Sequence, residues 1–334
     1  MKYSINNILK VKNKYIEYYN KNSINMIVKD IKDIVKIYKS SSSKHQPIFD
    51  IESYIDTLNQ DTIDMAIESI KSGYSDINQT KNKDYISSLD DYNIGLVLLT
   101  MLPVLNVLYK ENNISNYIFY HTISDIFLRL NIYYLSHSDK TRFGLESFEG
   151  SWLIRIFYLN IFKIGSLQYE KVHNNWASFC DQTLINNLSK MDLNPPILDL
   201  KSRKCKNIGE VCHDVDLISI HIMQGENIKK LSCIESIKMA KEFFSESIYN
   251  YKCFYCRSWL LYRPMKLILS SKSSIGEFMD LFNIIYEYQD PSMALDRILG
   301  KYTYSLKDIK NPTSLQIKAR NNRDLLGIGI GILK

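Results

Sequence analysis

The most constraining stretch of this chain is Asp216-Leu217-Ile218-Ser219-Ile220-His221-Ile222-Met223, which runs into Gln224-Gly225-Glu226. A short isoleucine-rich run bounded by a glycine turn fits a buried strand, and strand side chains alternate between two faces. Leu217, Ser219, His221 and Met223 share one face, while Ile218, Ile220 and Ile222 share the other. The histidine therefore sits on the less apolar side, at the C-terminal end of the strand. In open α/β sheets that end is where ligands bind. After the turn, Ile234, Ile237, Met239, Ala240, Phe243 and Phe244 have helical spacing over 233–245. Residues 253–261 then read as a further strand.

The texture of the chain changes at Gly165. Before it, the apolar residues recur at helical intervals: Ile24, Ile27, Val28, Ile31, Ile34 and Val35, then two short segments over 48–72 with Asp61 as a cap. Further helices are expected near 91–110, 114–137 and 145–163. After Gly165, Leu167-Gln168-Tyr169-Glu170-Lys171-Val172 alternates like a strand, a polar connector covers 185–210, and a helix over 264–281 precedes a strand at 283–288. The expected fold class is α/β (α+β). Residues 1–160 form a mainly helical N-terminal region and residues 161–334 a mixed-sheet domain.

With 45% apolar and 23% charged residues, the composition is that of an ordinary globular protein. The net charge of +6 is spread among Asp, Glu and Asn, so no basic run marks a nucleic-acid groove. It permits a modest attraction to anionic partners. The apolar run at 94–109 contains Pro103 and Asn106 and is shorter than a membrane span, so it reads as a buried helix bent at the proline. The six cysteines, with no apolar leader ahead of them, read as reduced thiols in a cytoplasmic protein.

His221 reads either as a general base, because imidazole titrates near neutrality, or as a structural histidine. The turn at 224–227 reads as a phosphate-holding junction or as a plain connection. Cys253-x-x-Cys256 invites a metal reading, but in a strand the two thiols point to opposite faces. A metal-dependent hydrolase built on His213, His221 and the cysteines is the weakest reading. Cys256 shares a face with Phe254 and Ser258 and reads as an acyl-accepting nucleophile or as a packed thiol. Trp259 reads as core. Tyr249, Tyr251, Tyr255, Tyr286 and Tyr288 are candidate acids that spacing does not separate. The tail Gly327-Ile328-Gly329-Ile330-Gly331 lacks the spacing of a dinucleotide fingerprint and reads as an edge strand.

Five segments together resemble a known family. They are Gly165-Ser166-Leu167-Gln168-Tyr169-Glu170, His221-Ile222-Met223-Gln224-Gly225, Ala240-Lys241-Glu242-Phe243-Phe244, Cys256-Arg257-Ser258-Trp259-Leu260-Leu261 and Thr313-Ser314-Leu315-Gln316. In this order they resemble bacterial acyltransferase-domain proteins, which carry a helical N-terminal acyltransferase region and a GNAT-like C-terminal domain. Met223 stands where the family pattern has proline, the second glycine after Gly225 is missing, and Glu226 stands in the turn.

The resemblance implies acyl transfer from a thioester donor to an acceptor, an amine in the first instance, by direct attack. The donor would be acyl-CoA or acetyl-CoA, or a phosphopantetheine-bound acyl carrier protein. Its arm would pair with the edge opened where strands 217–223 and 253–261 splay apart. Ile222, Met223, Gln224, Gly225 and Trp259 would hold the donor, with an amide near Met223 facing the oxyanion. His221 would take the proton of the amine, and Ser258 or a tyrosine would protonate the departing thiolate. Cys256 would serve only if an acyl-enzyme forms. The resemblance implies no metal. The acceptor is a small molecule or peptide. The rival reading is a non-catalytic GNAT-like binding or scaffold protein, favoured by the altered turn at 223–227.

Overall fold

The computed structural model describes residues 8–41, 44–73, 85–137, 142–174, 198–199, 204–205, 215–245, 251, 253–300 and 311–334. The chain divides into two compact units, the first comprising residues 1–164 and 242–249 and the second residues 165–241 and 250–334.

The first unit is built from helices α1 (Ile8–Lys21), α2 (Ile24–Ser40), α3 (Ile51–Ile55), α4 (Gln60–Ser72), α5 (Asp91–Thr100), α6 (Leu102–Glu111), α7 (Asn116–Ser136) and α8 (Ser147–Phe157), followed by strand β1 (Ile161–Ile164). Along α2, Ile27, Ile31, Ile34 and Val35 of the predicted stripe are buried and Tyr38 joins them, while Ile24 and Val28 are half-buried. Each such side chain stabilises by about 1.5–3 kcal/mol over leaving it exposed. Along α1 the inward face is Val11, Tyr15 and Tyr19, and Leu9 stays exposed. The two phenols become buriable by donating to backbone carbonyls, Tyr15 to Phe157 O and Tyr19 to Thr100 O.

The apolar run expected as one bent helix is two helices, separated at Met101, and Pro103 sits in the first turn of the second. Asp90 caps α5 by accepting the Asn93 amide, while Asn59, not Asp61, caps α4. By length and composition residues 91–111 would pass for a membrane span, but 78% of that window is buried inside the structure. Helix α7 is buried almost all round. It carries Asp125 and Arg129 inward, and Arg129 also makes two hydrogen bonds to Glu149 of α8.

The helix expected over 145–163 stops at Phe157. Leu159 takes a left-handed φ of 54°, and the amides of Tyr158 and Asn160 both turn back to Arg155 O. A left-handed leucine costs about 1–2 kcal/mol, which its complete burial offsets. The apolar residues beyond it become a strand.

The second unit contains β2 (Leu167–Asn174), the two-residue strands β3 (Leu198–Asp199) and β4 (Lys204–Cys205), β5 (Val215–His221), β6 (Phe254–Ser258), β7 (Phe282–Tyr288) and β8 (Ile328–Leu333). Its helices are α9 (Lys230–Ser245), whose residues from Glu242 count with the first unit, α10 (Ser274–Met279), α11 (Pro291–Leu299) and α12 (Ser314–Asn321). Neighbouring strands run β2-β5-β6-β8-β7. Only β5 and β6 are parallel. The other pairings are antiparallel, so the sheet is mixed.

Strand register sorts the side chains. Gln168, Glu170, Ser219, His221, Tyr255, Arg257 and Ile330 stand on one face, and Tyr169, Lys171, Ile218, Ile220, Phe254, Cys256 and Ser258 on the other. Helix α9 covers the second face. Ser236 Oγ accepts the Leu167 amide at 3.2 Å and meets the Tyr169 hydroxyl at 2.9 Å.

Three expectations need correction. Residues 253–261 are a strand only to Ser258, because the Ser258 hydroxyl accepts the Leu260 amide at 3.2 Å and starts a 3-10 turn over Trp259–Leu261. The helix expected over 264–281 is a 3-10 turn, Arg263–Leu267, and the short α10. The glycine-spaced tail is not an edge strand, since β8 lies between β6 and β7. Its glycines serve close approach. A Cβ on Gly329 would run into Leu261 O, and one on Gly331 would lie 2.8 Å from Phe282 Cβ.

Candidate active site

The site forms where β5 and β6 part. The two strands pair only at Ile218↔Phe254 and Ser219↔Tyr255. Past that point β5 stays with β2 as far as Gln168↔His221, and β6 stays with β8 as far as Ser258↔Gly329. The parallel strands thus diverge at their C-terminal ends and leave a wedge. The Ile218 amide donates across the seam to Cys253 O at 3.0 Å. By the period of two, the amides of Ile220 and Ile222 turn toward the same seam.

His221 stands at the mouth of the wedge with 27% of its side chain exposed. Its Nε2 lies 3.0 Å from Glu170 Oε2, and the Glu170 side chain is only 4% exposed. A carboxylate can only accept, so Nε2 carries the proton and donates it to Glu170. That tautomer leaves the lone pair on Nδ1, the arrangement of a base oriented by a buried acid. Antiparallel register brings the two together: Glu170 faces Ser219, and Gln168 faces His221, on one surface. Tyr255 joins the cluster with its hydroxyl hydrogen-bonded to Ser219, and burial pushes its phenol well above the usual range. In the sequence Glu170 ends the segment Gly165–Glu170, which alone gives it no role. The signal that would have found it is the shared parity of Gln168 and Glu170 with Ser219 and His221, once the two strands are known to pair.

The residues named from sequence are distributed as follows. Ile222 is partly buried and Met223 fully buried, and the Glu226 amide returns to Met223 O at 3.3 Å. Gly225, with φ of 77°, occupies the left-handed position of this turn. Gln224 and Gly225 are exposed ahead of Lys229 and Lys230, where α9 begins. Cys256 is fully buried on the face opposite His221, and burial pushes its thiol far up, away from the thiolate form. Ser258 shares the Cys256 face and uses its hydroxyl to cap the following turn. Trp259 packs against a separate cluster of Met265, Ile268, Ala294, Leu295 and Leu326. The wedge therefore gathers His221, Glu170, Ser219 and Tyr255, and it does not gather Cys256, Ser258 or Trp259.

Cys233, Cys253 and Cys256 are free thiols. Among the described residues no group of three His, Cys, Asp or Glu is placed to hold a metal ion. His213, Cys180 and Cys212 lie outside the described residues, and of Cys205 only the backbone is described.

A mixed sheet with one splayed parallel pair, preceded by a helical unit, is the architecture of GNAT-type acyltransferases. Residues 161–326 match the family model of the GNAT-like C-terminal domain. The chain is also similar in fold to the crystal structure of an acyltransferase in complex with decanoyl-CoA, with a TM-score of 0.58 and 12% identity over 81% of this chain and 76% of that one. An acyltransferase in complex with decanoyl-CoA and teicoplanin matches with a TM-score of 0.54 and 13% identity, over 73% of this chain and 67% of that one. One in complex with CoA and 10C-teicoplanin matches with a TM-score of 0.54 and 12% identity, again over 73% and 67%. No curated protein sequence matches the chain.

Proposed function

We propose that this protein transfers an acyl group from acyl-CoA to an amine acceptor by direct attack. The observation that carries the reading is the wedge beyond Ser219↔Tyr255, with His221 and Glu170 at its mouth. The pantetheine arm pairs along the seam edge of β5, toward which the Ile220 and Ile222 amides turn. The turn at Met223 and the start of α9, with Lys229 and Lys230, meet the phosphates. An acyl carrier protein presents the same arm and is the alternative donor. The solved acyltransferases of similar fold are in complex with CoA or decanoyl-CoA, which favours an acyl-CoA donor, and two of them are also in complex with teicoplanin or 10C-teicoplanin, which favours room for a large second ligand.

In the reaction the amine nitrogen attacks the thioester carbonyl while Nδ1 of His221 takes its proton. Glu170 stabilises the imidazolium that forms. The tetrahedral intermediate collapses, the carbon–sulfur bond breaks, and the thiolate leaves as CoA. Tyr255, held protonated by burial beside Ser219, is the proton donor proposed for that thiolate. Holding amine and thioester together supplies most of the acceleration. Cys256, buried on the opposite face, takes no part.

The test is thermal shift and CoA release with a series from acetyl- to palmitoyl-CoA, on wild type and His221→Ala. Chain-length-dependent stabilisation in both proteins, with turnover lost only in the variant, is the expected result. Stabilisation by every acyl-CoA without CoA release in the presence of any amine would instead favour the binding or scaffold reading.

A further inference from the structure

Arg257 is two residues past the last paired position of β6, as His221 is on β5, and register puts both side chains on the same face of the sheet. The guanidinium and the imidazole thus flank the wedge from its two sides. Arg257 is the one exposed residue of its strand. Its guanidinium donates to the Tyr288 hydroxyl and lies 5.8 Å from the centre of the Tyr288 ring. Tyr288 lies on β7, beyond β8, so the arginine is drawn along the sheet face and braced there. Among the described residues no carboxylate pairs with Arg257. The neighbouring Arg263, by contrast, is neutralised by Glu287. The charge of Arg257 therefore faces solvent beside the wedge, oriented and, among the described residues, unmatched by a carboxylate.

A planar guanidinium fixed on one side offers its remaining donors as a fork that matches a carboxylate. A strand-borne arginine braced by an aromatic ring also loses little side-chain freedom when an anion docks. We infer that Arg257, braced by Tyr288, is the anion-binding residue of the acceptor subsite, and that the acceptor is an amine carrying a carboxylate, of the amino-acid or peptide type. This rests on the acyl-transfer reading above and specifies its acceptor. The donor's phosphates are a second source of negative charge, but the turn after β5 and the start of α9 serve those, on the other strand of the wedge.

The experiment uses full-length protein with decanoyl-CoA and matched amine pairs that differ only in the carboxylate: glycine and methylamine, phenylalanine and phenethylamine, lysine and cadaverine. The wild type prefers the carboxylate-bearing member by about ten- to a hundredfold in kcat/KM, the worth of one charged hydrogen-bonded contact. In Arg257→Gln the preference collapses to near unity, mainly through the acceptor KM, while the KM for decanoyl-CoA holds. Tyr288→Phe, which keeps the ring and removes the hydroxyl, gives an intermediate preference.

Equal use of both members by wild type overturns the inference, as does a preference that survives Arg257→Gln or a loss that falls on decanoyl-CoA. A parallel arm compares stabilisation by N-decanoylphenylalanine and N-decanoylphenethylamine, the products of one pair. If no amine is acylated, amine transfer fails as the function, and Arg257 is judged by this arm alone. A stronger, Arg257-dependent shift with the carboxylate product upholds the anion site, and equal shifts overturn it.

Discussion

Replacing Glu170 by Gln is the sharpest test of the base. Glutamine keeps the volume and removes the charge, so a side chain that is only 4% exposed leaves no cavity. The 3.0 Å contact between His221 Nε2 and Glu170 Oε2 changes from a charge-assisted hydrogen bond to a neutral one, and the new amide can donate as well as accept. A donating amide favours the tautomer with its lone pair on Nε2, so Nδ1 carries a proton and no longer acts as a base. Hydrogen bonds to charged groups are worth about 1.5–3 kcal/mol. At 1.36 kcal/mol per decade, losing one only in the transition state slows the reaction about ten- to a hundredfold. The assay is CoA release at saturating donor and acceptor, with the decanoyl-CoA dissociation constant and the melting temperature measured on the same preparation. The expectation is a lowered kcat with donor affinity and melting temperature near wild type. If kcat holds while stability falls, Glu170 is a structural partner and the dyad argument is wrong.

Three other perturbations test separate parts of the structure. Cys256→Ala should retain most of the activity, and wild type should show no acyl adduct by intact mass; a stable adduct lost in the variant would reinstate a covalent route. Lys171 is buried on the α9 face of β2, where burial lowers its ammonium to about 7. Because its folded pKa lies below the unfolded one, near 10.4, the unfolded chain binds more protons between those values. This residue's contribution therefore makes stability rise with pH from about 7 to 10.4, and the penalty is fully present below about 7. Lys171→Met should melt higher than wild type at pH 7, with the difference shrinking by pH 9.5; a constant difference would refute a neutral buried lysine. Arg129→Ala takes the guanidinium away from the buried Asp125 and the partly buried Glu149 carboxylates and should cost about 3–5 kcal/mol in chemical denaturation, a loss that Arg129→Ala combined with Asp125→Asn and Glu149→Gln should reduce.

The sequence made the strand of His221, its parity and the following helix readable because those are local, periodic signals. Parity also put Cys256 on one face with Phe254 and Ser258, but only the pairing of β5 with β6 tells which face of β6 His221 shares. What it could not show was the partner of the histidine. Glu170 lies 51 residues away in sequence and meets His221 only through the antiparallel register of β2 and β5. The overruns have local causes that an apolar pattern does not encode. Leu159 ends α8 with a left-handed backbone despite an uninterrupted hydrophobic run, and Ser258 ends β6 by capping a turn within one. From sequence alone the glycine tail reads as an edge strand. Its position between two strands makes sense only when the Trp259–Leu261 turn is seen lying against it.

The insertion of β8 between β6 and β7 has a consequence for synthesis. Tyr255 waits for Ile332, 77 positions later, and Phe282 waits for Leu333. While the ribosome is still adding residues before 328, β6 and β7 have emerged with their inner edges unmatched, each a template for another nascent chain. The wedge side of β6 draws on β8 as well, since β8 is the strand that pairs with β6 from Tyr255 to Ser258. Translation arrest before β8 or its proteolytic loss would thus leave the parted ends of β5 and β6 without this support, while the helices of the first unit draw on contacts made much earlier. Polysome-bound chains should acquire protease resistance in two widely spaced steps, with acyl-CoA binding arriving only at the second.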